Sequence, residues 1–205
     1  MNSLNTYIIE KLKVNKDSNK YHYHPKDKKE LRSLINKLIK ERGKDADLND
    51  IDVSDITDMS ELFTDLDLYN IDISEWNVSN VKDMHSIFWV CTHFNSDLSK
   101  WNVSNVEDMK SMFLGCENFN SDLSKWNVSK VEDMYNMFWG CKNFNSDLSK
   151  WNVSKVEDMY NMFCGCKNFN SDLSKWNVSK VEDMRFMFDG CDSLKNKPSW
   201  YKWIV

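Results

Sequence analysis

Residues 119–143 read FNSDLSKWNVSKVEDMYNMFWGCKN, and residues 144–168 repeat them at 24 of 25 positions. The sole difference is Trp139 against Cys164. Chance does not produce such identity, so the chain is read first as a repeat. Working outward, the period of 25 continues in both directions. Trp76, Trp101, Trp126, Trp151 and Trp176 form one ladder. Phe63, Phe88, Phe113, Phe138, Phe163 and Phe188 form a second. Met59, Met84, Met109, Met134, Met159 and Met184 form a third. The register starts imperfectly, with Leu48 in place but Ile51 where Trp belongs. It ends at Leu194, after which Pro198, Trp200, Tyr201 and Trp203 break the pattern. Altered ends suit an array that must close its two open faces. The organisation predicted is a cap over residues 1–46, about six coils over 47–193, and an aromatic C-terminal cap over 194–205.

Each coil has readable parts. Ser129-x-x-Glu132 has the form of a capping box, repeated at Ser104/Glu107, Ser154/Glu157 and Ser179/Glu182. Val131, Met134, Phe138 and Cys141 follow at near-helical spacing, and Gly140 stands where a helix end takes a left-handed residue. The spacing predicts a helix of two to three turns over 130–139. Trp126-Asn127-Val128 reads as a short strand, and 119–122 as a polar turn. The fold class expected is therefore α/β: a solenoid with one short strand and one short helix per coil. Strands about 4.8 Å apart would make six coils a stack of roughly 25–30 Å.

The head is different. Tyr7–Val14 is rich in β-formers, Asn15–Asn19 reads as a hairpin turn, and Lys20–His24 alternates Tyr21 with Tyr23. Pro25 suits the first turn of a helix whose apolar stripe is Leu31, Leu34, Ile35, Leu38 and Ile39, ended by Gly43. Such a ββα unit is placed to cover the first coil.

Composition sets outer bounds. The chain has 205 residues and a formal charge of −5. Residues 1–46 carry 12 Lys/Arg against 6 Asp/Glu, a net of +6, which leaves −11 for the rest. An acidic body repels phosphate backbones and disfavours broad nucleic-acid binding. No apolar run reaches the length of a bilayer span. The start, MNSLNTYIIEKLKV, lacks a basic region followed by an apolar core, so the expected location is the cytoplasm. The repeated N-V-S triplet then counts as coincidence and not as a glycosylation signal.

Chemistry is weighed against packing. Cys91, Cys116, Cys141, Cys166 and Cys191 recur once per coil, without the paired spacing of zinc sites, and read as small buried hydrophobes. Cys164 stands outside that ladder and is the candidate reactive thiol. The Met and Phe ladders read as core. The Asn77 to Asn177 ladder, and the columns Asp83 to Asp183 and Asp97 to Asp172, read as turn and cap bonding instead of calcium loops. His22, His24, His85 and His93 sit in no catalytic or metal-ligand motif, and no phosphate-binding glycine loop is present. Neither an enzyme, a cofactor nor a metal is expected.

The motif W-N-V-S-x-V-x-D-M-x-x-M-F-x-G-C-x-x-F-N-x-D-L-S resembles the 25- to 26-residue repeat of BspA-type, leucine-rich-repeat-like bacterial surface proteins. That resemblance covers residues 47–193 and implies a leucine-rich-repeat-like solenoid with a binding role, often at cell surfaces. It implies no particular ligand.

Binding is sought where the coils differ from one another. After the ladder Met come His85, Lys110, Tyr135, Tyr160 and Arg185. One place on are Ser86, Ser111, Asn136, Asn161 and Phe186. After the ladder Phe come Trp89, Leu114, Trp139, Cys164 and Asp189. At ~100° per residue, a helix with Val131, Met134 and Phe138 inward sends Asn136 directly outward, flanked by Tyr135 and Trp139. The candidate partner-binding residues are thus His85, Trp89, Lys110, Tyr135, Asn136, Trp139, Tyr160, Arg185 and Phe186. The column Lys100, Lys125, Lys150 and Lys175 marks a second candidate face. The expected function is non-catalytic recognition of a protein partner by a monomer. The alternatives are a surface adhesion or carbohydrate-binding module, and an acidic nucleic-acid mimic that inhibits a DNA-binding protein.

Overall fold

A computed structural model describes residues 20–64, 66 and 68–201. The expected strand Tyr7–Val14 and turn Asn15–Asn19 lie outside these residues. The head helix is present as α1 (Lys28–Arg42). Asp27 caps it, accepting from the Glu30 amide at 2.8 Å, and Gly43 ends it at φ 92°. Pro25 lies ahead of this cap and not in the first turn. Leu31, Ile35 and Leu38 are fully buried against the first coil, as the apolar stripe requires. Tyr23 makes one parallel bridge to Ile51.

The rest is a stack of coils with little regular structure. Among the described residues α1 is the one helix, and strand pairing is confined to isolated parallel bridges. One column of bridges links Asp58, Asp83, Asp108, Asp133, Asp158 and Asp183, each to the equivalent residue one period on. The helix expected at 130–139 does not form, and neither does the strand at Trp126–Val128.

The hydrogen bonds explain the missing helix. Met134, Asn136, Phe138 and Gly140 donate their amides to carbonyls of the next coil: Asp158, Tyr160, Met162 and Cys164, at 2.7–3.0 Å. The residues between them turn inward, Met137 to Met134, Trp139 to Asn136 and Cys141 to Phe138. A right-handed helix would spend every amide after its first turn within its own coil and leave none of those to join neighbours. Here the demand is split, with alternate amides serving the turn and the stack. Reversal at the middle of the segment needs left-handed backbone. Glu61, Ser86, Ser111, Asn136, Asn161 and Phe186 all have φ between 53° and 57°. Gly140 has φ 75°, so its expected left-handed role holds although no helix precedes it. The capping box is corrected likewise: the Ser129 amide donates to Asn127 Oδ1 at 3.1 Å, an Asx turn.

The core runs along the stack. Phe138 lies between Phe113 and Phe163, with ring centroids 5.5 and 5.6 Å away, and Phe144 sits 4.1 Å off. These offset stacks suit aromatic rings. Each ladder Trp anchors backward: Trp126 Nε1 donates to the Leu98 carbonyl at 3.0 Å, and Trp76, Trp101, Trp151 and Trp176 make the equivalent bond from their own coils. Trp200 does not break this ladder. It stacks on Trp176 at 6.3 Å and donates to the Leu173 carbonyl at 2.8 Å, so it is the final rung despite its shortened spacing.

The cysteine ladder is core. Cys116, Cys141 and Cys166 are fully buried, and each thiol donates to the Phe carbonyl of the preceding coil at 2.9–3.0 Å. Burial drives these thiols well above their usual pKa. The Asn and Asp columns bond turns as expected: Asp122 accepts from the Ser124 amide and Asp133 from the Tyr135 amide.

Candidate functional site

Stacking at a period of 25 turns each variable position into a column along one face. The first column is built as a chain of ring contacts. Lys110 Nζ lies 4.8 Å from the Tyr135 centroid. Tyr135 stacks on Tyr160 at 5.4 Å with planes 9° apart. Arg185 lies over Tyr160 at 5.5 Å, and Phe186 meets Tyr160 edge-on at 5.7 Å. Two cations thus bracket a tyrosine pair, which orients both rings. Tyr135 and Tyr160 are half-buried, whereas Lys110 and Arg185 are exposed.

Trp89 and Trp139 occupy a parallel column and are 41% and 44% exposed. Phe186 is 42% exposed. Large apolar groups at this exposure are the surface features that need a reason. The candidate residues Lys110, Tyr135, Tyr160, Arg185 and Phe186 are therefore brought together by direct contact, and Trp89 and Trp139 lie on the same faces of their coils. Asn136 departs from expectation. It does not point straight out from a helix; its left-handed backbone leaves it half-buried, with Oδ1 buried and without a partner among the described residues. Leu114, which shares the Trp139 column, is 9% exposed, so the column is not uniformly open.

His85 heads the first column but has other company. Its Nδ1 is 2.9 Å from Asp83 Oδ1, and its Nε2 is 3.8 Å from Glu61 Oε1. Among the described residues, Asp83, His85 and Asp108 form the group able to hold a metal ion, their ligand atoms lying within 4.8 Å of one another. Sequence reasoning missed this group because its members come from two coils. The signal was the period itself, which sets Asp83 beside Asp108.

The aspartate column flanks the tyrosines. Asp58 has Lys28 at 2.8 Å and Asp183 has Arg185 at 2.5 Å. Arg185 holds Asp183 below the usual carboxylate range. Asp133 and Asp158 have Tyr135 and Tyr160 at the position that Arg185 holds after Asp183. Burial pushes both carboxyls up, and charge on neighbouring aspartates adds to the shift. Glu132, Glu157 and Glu182 lie beside them and complete an acidic groove. On the second candidate face, Lys150 and Lys175 line a polar groove with Asn145, Asp147, Asn170 and Asp172, and Lys100 is bound to Glu75. Cys164 is partly exposed, and burial raises its thiol pKa.

The family model described as "Mycoplasma protein of unknown function, DUF285" matches the chain twice, over residues 30–138 and 116–205. The chain belongs to that family, and the two tandem matches mark it as a repeat protein. No curated protein and no solved structure matches it.

Proposed function

We propose that this chain is a non-catalytic recognition solenoid of the leucine-rich-repeat-like, BspA type, which binds a protein partner through the lateral face that carries the tyrosine column. One observation carries the reading: Tyr135 and Tyr160 are stacked and bracketed by Lys110 and Arg185, with Trp139 and Phe186 exposed on these coils and Trp89 on the coil before them. Aromatic and arginine side chains are enriched at interfaces and dominate their energetics. The coil backbone repeats, so the scaffold fixes where each side chain stands, and the coil-specific residues choose the partner. The protein acts as a monomer in the cytoplasm on this reading, and neither catalysis nor a cofactor enters it.

The test replaces Tyr135, Trp139 and Tyr160 together by Ser. Trp139 is 44% exposed and the tyrosines are half-buried, so the cooperative unfolding transition should survive with a modest loss of stability. Wild-type and variant protein are then used to capture partners from lysate of the native cell, read by mass spectrometry. A protein held by wild type and lost with the variant supports the reading. Equal capture by both moves the site off this face. Absence of a protein partner combined with signal on a glycan array favours the adhesion alternative, in which Trp89 and Trp139 grip sugar rings. A partner whose affinity collapses with added salt favours the acidic-mimic alternative, in which the groove of Glu132, Asp133, Glu157 and Asp158 stands in for phosphates.

A further inference from the structure

The two ends of the stack are chemically unequal. The main row at each junction sets alternate amides of one coil against carbonyls of the next, while single amides such as Glu157 and Glu182 donate back to the coil before. At the N-terminal end the carbonyls come first, and α1 covers them. Arg32 donates through Nη1 to the Leu62 carbonyl and through Nη2 to the Thr64 carbonyl at 2.6 Å, in the places an earlier coil would fill. Lys28 binds Ser60 Oγ and Asp58 beside them. At the C-terminal end the amides come last. The row is Met184, Phe186, Phe188 and Gly190, and among the described residues none of these four amides has an acceptor. The equivalent row one coil earlier, Met159, Asn161, Phe163 and Gly165, is fully paired at 2.6–3.0 Å. Apolar packing changes at the same place. Val131 and Met134 are fully buried, but Val181 and Met184 are only partly so, and Phe186 is open. Trp200 on Trp176 and Tyr201 against Phe188 close the Trp and Phe188 side of this end.

We propose that this row is a docking edge for one further coil, supplied by a segment of another polypeptide that carries the same repeat pattern. The occupant follows from continuity with the junctions inside the chain. Four of the five seat a segment of the form D-M-x-x-M-F on the same row of donors, in parallel register, and the first seats D-M-x-x-I-F with Ile87; alternate carbonyls accept, and Val, Met and Phe face the core. The alternatives fit less well. Two copies joined end to end would set amides against amides and leave both rows unsatisfied. Two copies joined head to tail would need the carbonyl row that α1 already occupies. This edge is distinct from the lateral tyrosine face, so each can fail without the other.

The test uses the full-length protein and a synthetic peptide of residues 154–168, kept reduced, with a scrambled peptide as control. Amide exchange is followed by NMR. In the free protein, the amides of Met184, Phe186, Phe188 and Gly190 should exchange far faster than those of Met159, Asn161, Phe163 and Gly165. The peptide should slow the first four in a saturable way, and the scrambled peptide should not. Met184→Pro removes one donor and should weaken peptide binding roughly fivefold or more. Tyr135→Ser on the lateral face should leave it unchanged. Protection of the four amides in the free chain would overturn the proposal. Loss of that protection on truncation after Tyr201 would then assign the cover to residues 202–205, and loss on dilution would assign it to a second copy. Open amides that the peptide fails to protect would overturn it equally.

Discussion

The left-handed residue in the middle of each coil gives the sharpest test of the architecture. Asn161 has φ 54°, its amide donates to the Arg185 carbonyl at 3.0 Å, and its own carbonyl accepts from Cys164. Compare Asn161→Gly with Asn161→Ala. Both lose the carboxamide, so they differ only by one methyl group and its effect on the backbone. In a left-handed position alanine costs about 1–2 kcal/mol that glycine does not. Glycine gives back about 0.5–1 kcal/mol in extra chain entropy lost on folding. Glycine should therefore be the more stable variant by about 0.5–1 kcal/mol. In a right-handed helix the sign reverses, with alanine ahead by about 1 kcal/mol. The two architectures thus differ by roughly 2 kcal/mol at this one residue. Urea unfolding with an unchanged m-value reads the difference directly, as a midpoint shift of a few tenths molar. Repeating the pair at Ser111, two coils away, should give the same sign, with additive effects in the double variants. Alanine more stable than glycine by about 1 kcal/mol would refute the alternating pattern of amides and restore the helix.

Other outcomes follow from the core and the carboxylates. Phe138→Ala removes a fully buried ring from the middle of the Phe stack and should cost about 3–5 kcal/mol in urea unfolding. Asp133 holds its proton more tightly folded than unfolded, so it lowers stability as pH rises from the usual 3.8 through its higher folded value. Asp133→Asn keeps an acceptor for the Tyr135 amide and should be more stable than wild type at pH 7, with no advantage below both pKa values; thermal melts across pH check this. Asp50 has the opposite sign. Arg42 holds its carboxyl below the usual range, so the stability it contributes is present above the usual 3.8 and lost as pH falls through the folded value. Asp50→Asn should thus be the less stable form at pH 7. A thiol reagent at pH 7 should label Cys164 first, slowly because burial raises its pKa, and faster as pH is raised. Cys116, Cys141 and Cys166 should react only on unfolding, and labelling of them in the native state would contradict their burial.

Much of this protein follows from its sequence by itself. The period of 25 set the number and order of coils. The Trp, Phe, Met and Cys ladders identified the core, because a residue kept in every coil must meet its own copy when coils stack. The Asx turns were legible in the Asn and Asp columns, and α1 in its stripe and Gly43. The columns of variable residues were legible too, since stacking sends equal positions to one face. Tertiary structure decided how each coil satisfies its backbone. Val131, Met134, Phe138 and Cys141 have helical spacing, but the same spacing results when the chain turns every three to four residues through a left-handed step. Local pattern does not distinguish the two cases. The choice belongs to the neighbouring coil, which supplies carbonyls to alternate amides and makes the split arrangement complete. Tertiary structure also set Asp83 and His85 beside Asp108, placed Trp200 on the Trp ladder, and made the ends unequal. Arg32 covers the carbonyl row at one end, while at the other the amide row has no acceptor among the described residues, because a parallel stack has a direction that no single coil reveals.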